Sequence, residues 1–153
     1  MIQTENVFKY AVSPVADAFA GTVAGGCVNM KNFQNFNALI LKGVGTTGTA
    51  TITVVKATNA AGANPEAIPF HYRVTNAAGV AGAWTKATTA GFVTTAGSGD
   101  IYEVAVSQQT DYLANGDKPF VGVRSVEGVD SPVLGAILNM VSGGRYGSSG
   151  SVV

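Results

Sequence analysis

The chain of 153 residues reads as all-β, a jelly-roll-like β-sandwich with an extended N-terminal arm and a Gly/Ser-rich C-terminal tail. Three observations predict this. Short runs rich in Val, Ile, Thr and Phe recur between Gly, Asn and Pro turn signals, the spacing of a sandwich or barrel. Hardly any stretch carries a helical pattern. Finally, Gly43-Val44-Gly45-Thr46-Thr47-Gly48 matches the spacing of a dinucleotide-binding glycine loop, which needs a helix after it to hold a pyrophosphate. The next residues, Thr49-Ala50-Thr51-Ile52-Thr53-Val54-Val55, are nearly all β-branched and therefore suited to a pleated sheet. The glycines are accordingly expected to be a hairpin connection between strands over 36–42 and 49–57.

Residues 1–26 mix small and polar residues around isolated anchors, with Ser13-Pro14 and Gly25-Gly26 arguing against one long helix. This segment reads as the arm, with Pro14 able to open a short helical turn over 15–20. Residues 27–141 form the sandwich domain. After a short strand over 28–30 and the two strands named above, 59–65 is a loop. A strand over 68–75 places Phe70, Tyr72 and Val74 on one face and His71 and Arg73 on the other. Short strands over 84–87 and 91–95 come next, and Ala96-Gly97-Ser98-Gly99 turns into a strand over 101–106. Asn115-Gly116 and Lys118-Pro119 introduce a strand over 120–126. The last strand covers 134–141, and 142–153 is the tail.

Charged residues make up 12% of the chain, about half the ~25% usual for soluble domains. Either a partner covers part of the surface, or Thr, Ser, Asn and Gln solvate it. Nine basic and nine acidic residues cancel, and they are scattered from Lys9 to Arg145. No nucleic-acid partner is expected, because that grip needs clustered cations. Near-zero net charge suits an assembly subunit better than an isolated monomer. The N-terminal residues lack a basic start followed by an apolar run, and no stretch approaches ~20 apolar residues, so neither export nor a membrane partner is expected.

No cofactor, metal site or catalytic residue is expected. Cys27 is the only cysteine, excluding an intrachain disulfide and reading as a buried small hydrophobe. His71 is the only histidine, with no Gly-x-Ser-x-Gly elbow to serve, and reads as a surface or interface residue. Asp100 and Glu103, three apart on a strand, fall on opposite faces and cannot act as a pair. Asp111, Asn115 and Asp117 lack the ligand spacing of an EF-hand, and Glu127 and Asp130 read as turn residues. Tyr72 and Trp84 fit either a stacking platform for sugar rings or core packing.

Several segments resemble small structural proteins of tailed bacteriophages, in particular the cement or decoration proteins that coat an HK97-type capsid. They are Phe19-Ala20-Gly21-Thr22-Val23, the 36–54 region, Ala67-Ile68-Pro69-Phe70-His71-Tyr72-Arg73, Ala96-Gly97-Ser98 before Ile101-Tyr102, and Ser131-Pro132-Val133-Leu134-Gly135 leading towards Arg145-Tyr146. The resemblance implies a non-enzymatic virion protein, made in the host cytoplasm. It would form dimers or trimers on the outer capsid surface and bind the major capsid protein to stabilise contacts between capsomers. The alternatives are a tail or head-fibre base component, or a carbohydrate-binding host-recognition module. Under the cement reading, Val7, Phe8 and Tyr10 are the arm's interface anchors and Arg145 and Tyr146 those of the tail.

Overall fold

A computed structural model of the protein describes residues 10–15, 21–24, 26–107 and 117–144. Those residues form two antiparallel sheets packed face to face, a β-sandwich. The strands are β1 (Tyr10–Val15), β2 (Thr22–Ala24), β3 (Val28–Asn29), β4 (Phe33–Lys42), β5 (Thr49–Ala57) and β6 (Glu66–Ile68). They continue as β7 (Phe70–Thr75), β8 (Thr85–Ala87), β9 (Phe92–Val93), β10 (Asp100–Ser107), β11 (Phe120–Val129) and β12 (Gly135–Gly144). One sheet runs β1-β12-β4-β10-β7-β8, and the other β2-β11-β5-β6, with β3 also on β11 and β9 also on β5.

The pairing is nested. β1 lies on β12, β2 on β11, β4 on β10 and β5 on β6, as though one long hairpin had been rolled around a core. The rolled edges then meet through β12 on β4 and β11 on β5. This is a jelly-roll-like wrapping, in which the chain crosses repeatedly from one sheet to the other. β7 and β8 extend the first sheet beyond β10.

The wrapping corrects the expected hairpin. β5 is a strand and no helix comes after the glycines, but β4 and β5 belong to different sheets, so 43–48 crosses from one sheet to the other. The glycines are there for close approach. Gly43 N–H donates to the Leu134 carbonyl at 2.7 Å. A Cβ on Gly45 would stand 2.5 Å from Val133 Cγ2, and one on Gly48 2.7 Å from the Ser131 carbonyl oxygen. The crossing therefore lies backbone to backbone against the 131–134 connection, a packing that side chains would forbid.

A second correction concerns 68–75, expected as one strand. Pro69 interrupts it: Ile68 ends β6 in one sheet and Phe70 begins β7 in the other. Proline has no N–H for a ladder, so the chain changes sheets there. The described part of the segment read as an arm is also sheet. Tyr10 pairs with Met140 and Val15 with Gly135 along β1, an edge strand where Pro14 costs no ladder bond to a further neighbour. Val15, the first residue of the expected helical turn, ends that strand, and 16–20 lies outside the described residues. At the other end, β12 runs past the expected boundary at 141 to Gly144.

Between the sheets, inward side chains alternate with outward ones. Phe36, Ala38 and Ile40 of β4, Tyr102, Val104 and Val106 of β10, and Ile137 and Val141 of β12 face Ala50, Ile52 and Val54 of β5 and Val121 and Val123 of β11. Each fully buried large side chain contributes about 1.5–3 kcal/mol. Phe92 lies at the centre of an aromatic cluster: stacked on Tyr72 at 4.1 Å and 9°, tilted against Tyr102 at 5.3 Å and Phe70 at 6.1 Å. Asn139 is fully buried and donates Nδ2–H to the Gly26 carbonyl at 2.7 Å, tying the start of the domain to the middle of β12.

Candidate functional site

Of the interface residues expected from sequence, Val7, Phe8, Arg145 and Tyr146 lie outside the described residues, as do Asp111 and Asn115. Tyr10 opens β1, and its backbone pairs opposite Met140. His71 is half-buried on β7, next to Lys86 of β8 in the register. Cys27 is buried, and burial pushes its thiol pKa up.

The two acidic residues of β10 do separate. Asp100 is 5% exposed and accepts from the Tyr102 hydroxyl at 3.2 Å, while that hydroxyl accepts from Thr95 N–H at 2.8 Å. Burial, aided by the nearby Asp100 charge, raises the Tyr102 pKa despite the Thr95 bond. Lys42 shares this end of the sandwich. It is 4% exposed, its ammonium donates to the Ser98 carbonyl at 2.6 Å, and desolvation lowers its pKa against the opposing pull of Asp100. Glu103 points the other way, where it accepts from Arg73 Nη2 at 2.6 Å.

That outward side also holds Trp84, 47% exposed, with the Arg73 guanidinium 4.9 Å from its ring centroid. Tyr72 instead stacks inside the sandwich on Phe92, so Tyr72 and Trp84 lie on opposite faces of the sheet and form no common platform. Glu127 is more than a turn residue. Its carboxylate accepts from Gly21 N–H at 2.7 Å, and its own N–H donates to the Gly21 carbonyl, clamping the entrance to β2. Among the described residues no group of three or more His, Cys, Asp or Glu is placed to hold a metal ion. No described helix is long and apolar enough to cross a membrane.

The surface that stands out is the outer face of the six-stranded sheet. β12 presents Ala136, Leu138 and Met140 there, β4 presents Leu39 and Leu41, and β10 presents Ile101 and Ala105. The register aligns them into rows: Ala136 beside Leu41 beside Ile101, and Leu138 beside Leu39. Leu41 is 44% exposed and Ile101 39%. At the end of these rows a groove of about 500 Å³ continues the apolar surface past Val44 and Leu134, both well exposed. An antiparallel sheet with one face on the core ordinarily turns polar residues to water on the other. The second sheet is mixed on its outer side, where Thr49, Thr51, Thr53 and Arg124 interrupt the exposed Val93 and Val126. Sequence reasoning missed the contrast because the outward positions of β4 and β12 become one surface only once the last strand is seated beside the fourth. The apolar residues on both alternations of 36–42 were the available signal.

A charge cluster on the second sheet is structural. Glu66 of β6 binds Lys56 Nζ of β5 and Lys118 Nζ ahead of β11, each at 2.8 Å. Hydrogen bonds from Lys118 and then Lys56 hold the Glu66 pKa below its ordinary 4.5. The folded value lies below the unfolded one, so the contribution is complete above pH 4.5 and disappears as pH falls through the folded value. Glu66→Gln is expected to flatten the acid limb of a stability-against-pH curve; equal slopes for the two proteins below pH 4.5 would refute that assignment.

A scan against protein-family models and searches of curated proteins and of solved structures find no match to this chain.

Proposed function

We propose that this chain is a structural protein of a tailed-bacteriophage virion, a cement protein that binds the outer surface of the expanded head and strengthens contacts between capsomers. The resemblance of its segments to such proteins supports this role. The observation that carries it furthest is the apolar outer face of the six-stranded sheet, on a chain with only 12% charged residues. Apolar surface left in water forgoes about 25 cal/mol for each Å² that could be covered, so such a face fits a protein that works against other protein.

The role is mechanical and needs no reacting group. A ligand that binds the assembled, expanded shell and not its separated capsomers stabilises the assembly by its differential affinity for the two states. The partners are copies of itself and the major capsid protein, and the place is the outer surface of the virion.

The test mixes purified protein with expanded heads and, separately, with unexpanded ones. Co-sedimentation with expanded heads alone, accompanied by a higher temperature of head disruption, is the expected outcome. Failure to sediment with either form would remove the cement role. Gold label found only on tails in electron micrographs would replace it with a tail component.

A further inference from the structure

We propose that the outer face of the six-stranded sheet is where two copies of this chain meet face to face across a two-fold axis. Naming the surface of self-association deepens the cement reading, on which it rests.

Area supports the contact first. Strands stand about 4.8 Å apart and advance about 3.4 Å per residue, so each residue covers about 16 Å² of sheet. The six strands, three to ten residues long, then present roughly 700 Å². A standard interface buries about 800 Å² on each partner, so one sheet face with the adjoining groove reaches that size without any other surface.

The arrangement of charge points the same way. The apolar rows centre on β12 and β4 with Ile101 at their end. Asn35, Asn37 and Ser142 border them at the other end, and Glu103, beside Leu39 on β10, begins a charged side that continues through Arg73 and Lys86. Arg73 and Glu103 already neutralise each other at 2.6 Å. This face therefore offers no field to a polyanion or a strongly charged peptide. It does offer what an isologous contact requires, an apolar centre and a polar rim on the same patch, so that the patch is complementary to its own copy.

The opposite face of the sandwich is less suited to the contact. Its exposed Val93 and Val126 are separated by outward Thr49, Thr51, Thr53 and Arg124, whose polar groups would give up hydrogen bonds to water if covered. Sheets packed face to face sit about 10 Å apart with side chains interdigitating, which the Leu39, Leu41, Leu138 and Met140 stubs permit. Two copies so arranged make a four-layered body with the second sheets outside.

Sedimentation equilibrium decides the matter. The wild-type protein should sediment at about twice 15.5 kDa. Leu41→Lys, at a position already exposed and so tolerated by the fold, should weaken dimerisation by at least about tenfold, with far-UV circular dichroism unchanged. Thr51→Lys, on the outer side of the second sheet, should leave the mass alone. Should Leu41→Lys fail to fold, Leu41→Ser supplies the same comparison. A wild-type monomer, a trimer, or a dimer indifferent to the Leu41 variants would overturn the proposal. The two readings fail separately: a monomer that still coats expanded heads defeats this inference alone, and a dimer that ignores heads defeats only the cement function.

Discussion

Phe70→Ala is expected to lower the free energy of unfolding by about 3–5 kcal/mol, read as a shift of the urea midpoint at unchanged slope. Phe70 is fully buried and is the first residue after the chain changes sheets at Pro69. Its ring meets Phe92 at 6.1 Å and Tyr72 at 6.3 Å, so truncation removes apolar burial and leaves a hole that the stacked Tyr72–Phe92 pair cannot fill without separating. Phe70→Leu keeps most of the volume and should cost less than half as much. Equal losses for the two variants would mean that the cluster relaxes, and that Phe70 holds the sheet change by some means other than packing.

Gly91→Ala should be of similar size for a different reason. Gly91 has φ +75°, and a Cβ there would land on the Ile52 carbonyl oxygen and within 2.9 Å of Thr53 Cγ2. The left-handed backbone costs about 1–2 kcal/mol for an alanine, and the overlap with β5 adds to it. Relief requires β9 to move off β5, which carries Phe92 out of the aromatic cluster. The combined loss is about 3–5 kcal/mol. Gly79→Ala is the control: φ is +78°, but a Cβ there meets nothing within 4 Å, so only the backbone cost of about 1–2 kcal/mol remains. A Gly91 variant no worse than the Gly79 variant in the same denaturation series would show that β9 moves freely.

The strands were legible wherever local chemistry decides them. The β-branched run after Gly48 marked out β5, and the alternation around Tyr72 correctly separated Phe70 and Val74 from His71 and Arg73. Partnership was not legible, because a strand's composition states that it wants neighbours without saying which. Hence 43–48 read as a hairpin, although its glycines serve the distant 131–134 segment. Pro69 was readable in principle, since proline inside a strand argues for a break. The apolar outer face needed the register of β4 with β12, a pairing between residues far apart in the chain.

The nested order also governs how the molecule can be made. β12 sits between β1 and β4, so a strand synthesised after all the other described ones occupies an interior position of the larger sheet. A nascent chain that has released everything up to β11 still lacks the strip joining its beginning to its middle, and both flanking ladders stay open until β12 leaves the ribosome. Acquisition of structure should thus be late and slow, as expected where contacts are remote in sequence. Truncation before Gly135 would leave two unsatisfied edges, so that ribosome-stalled fragments associate with one another through them and chains carrying β12 do not.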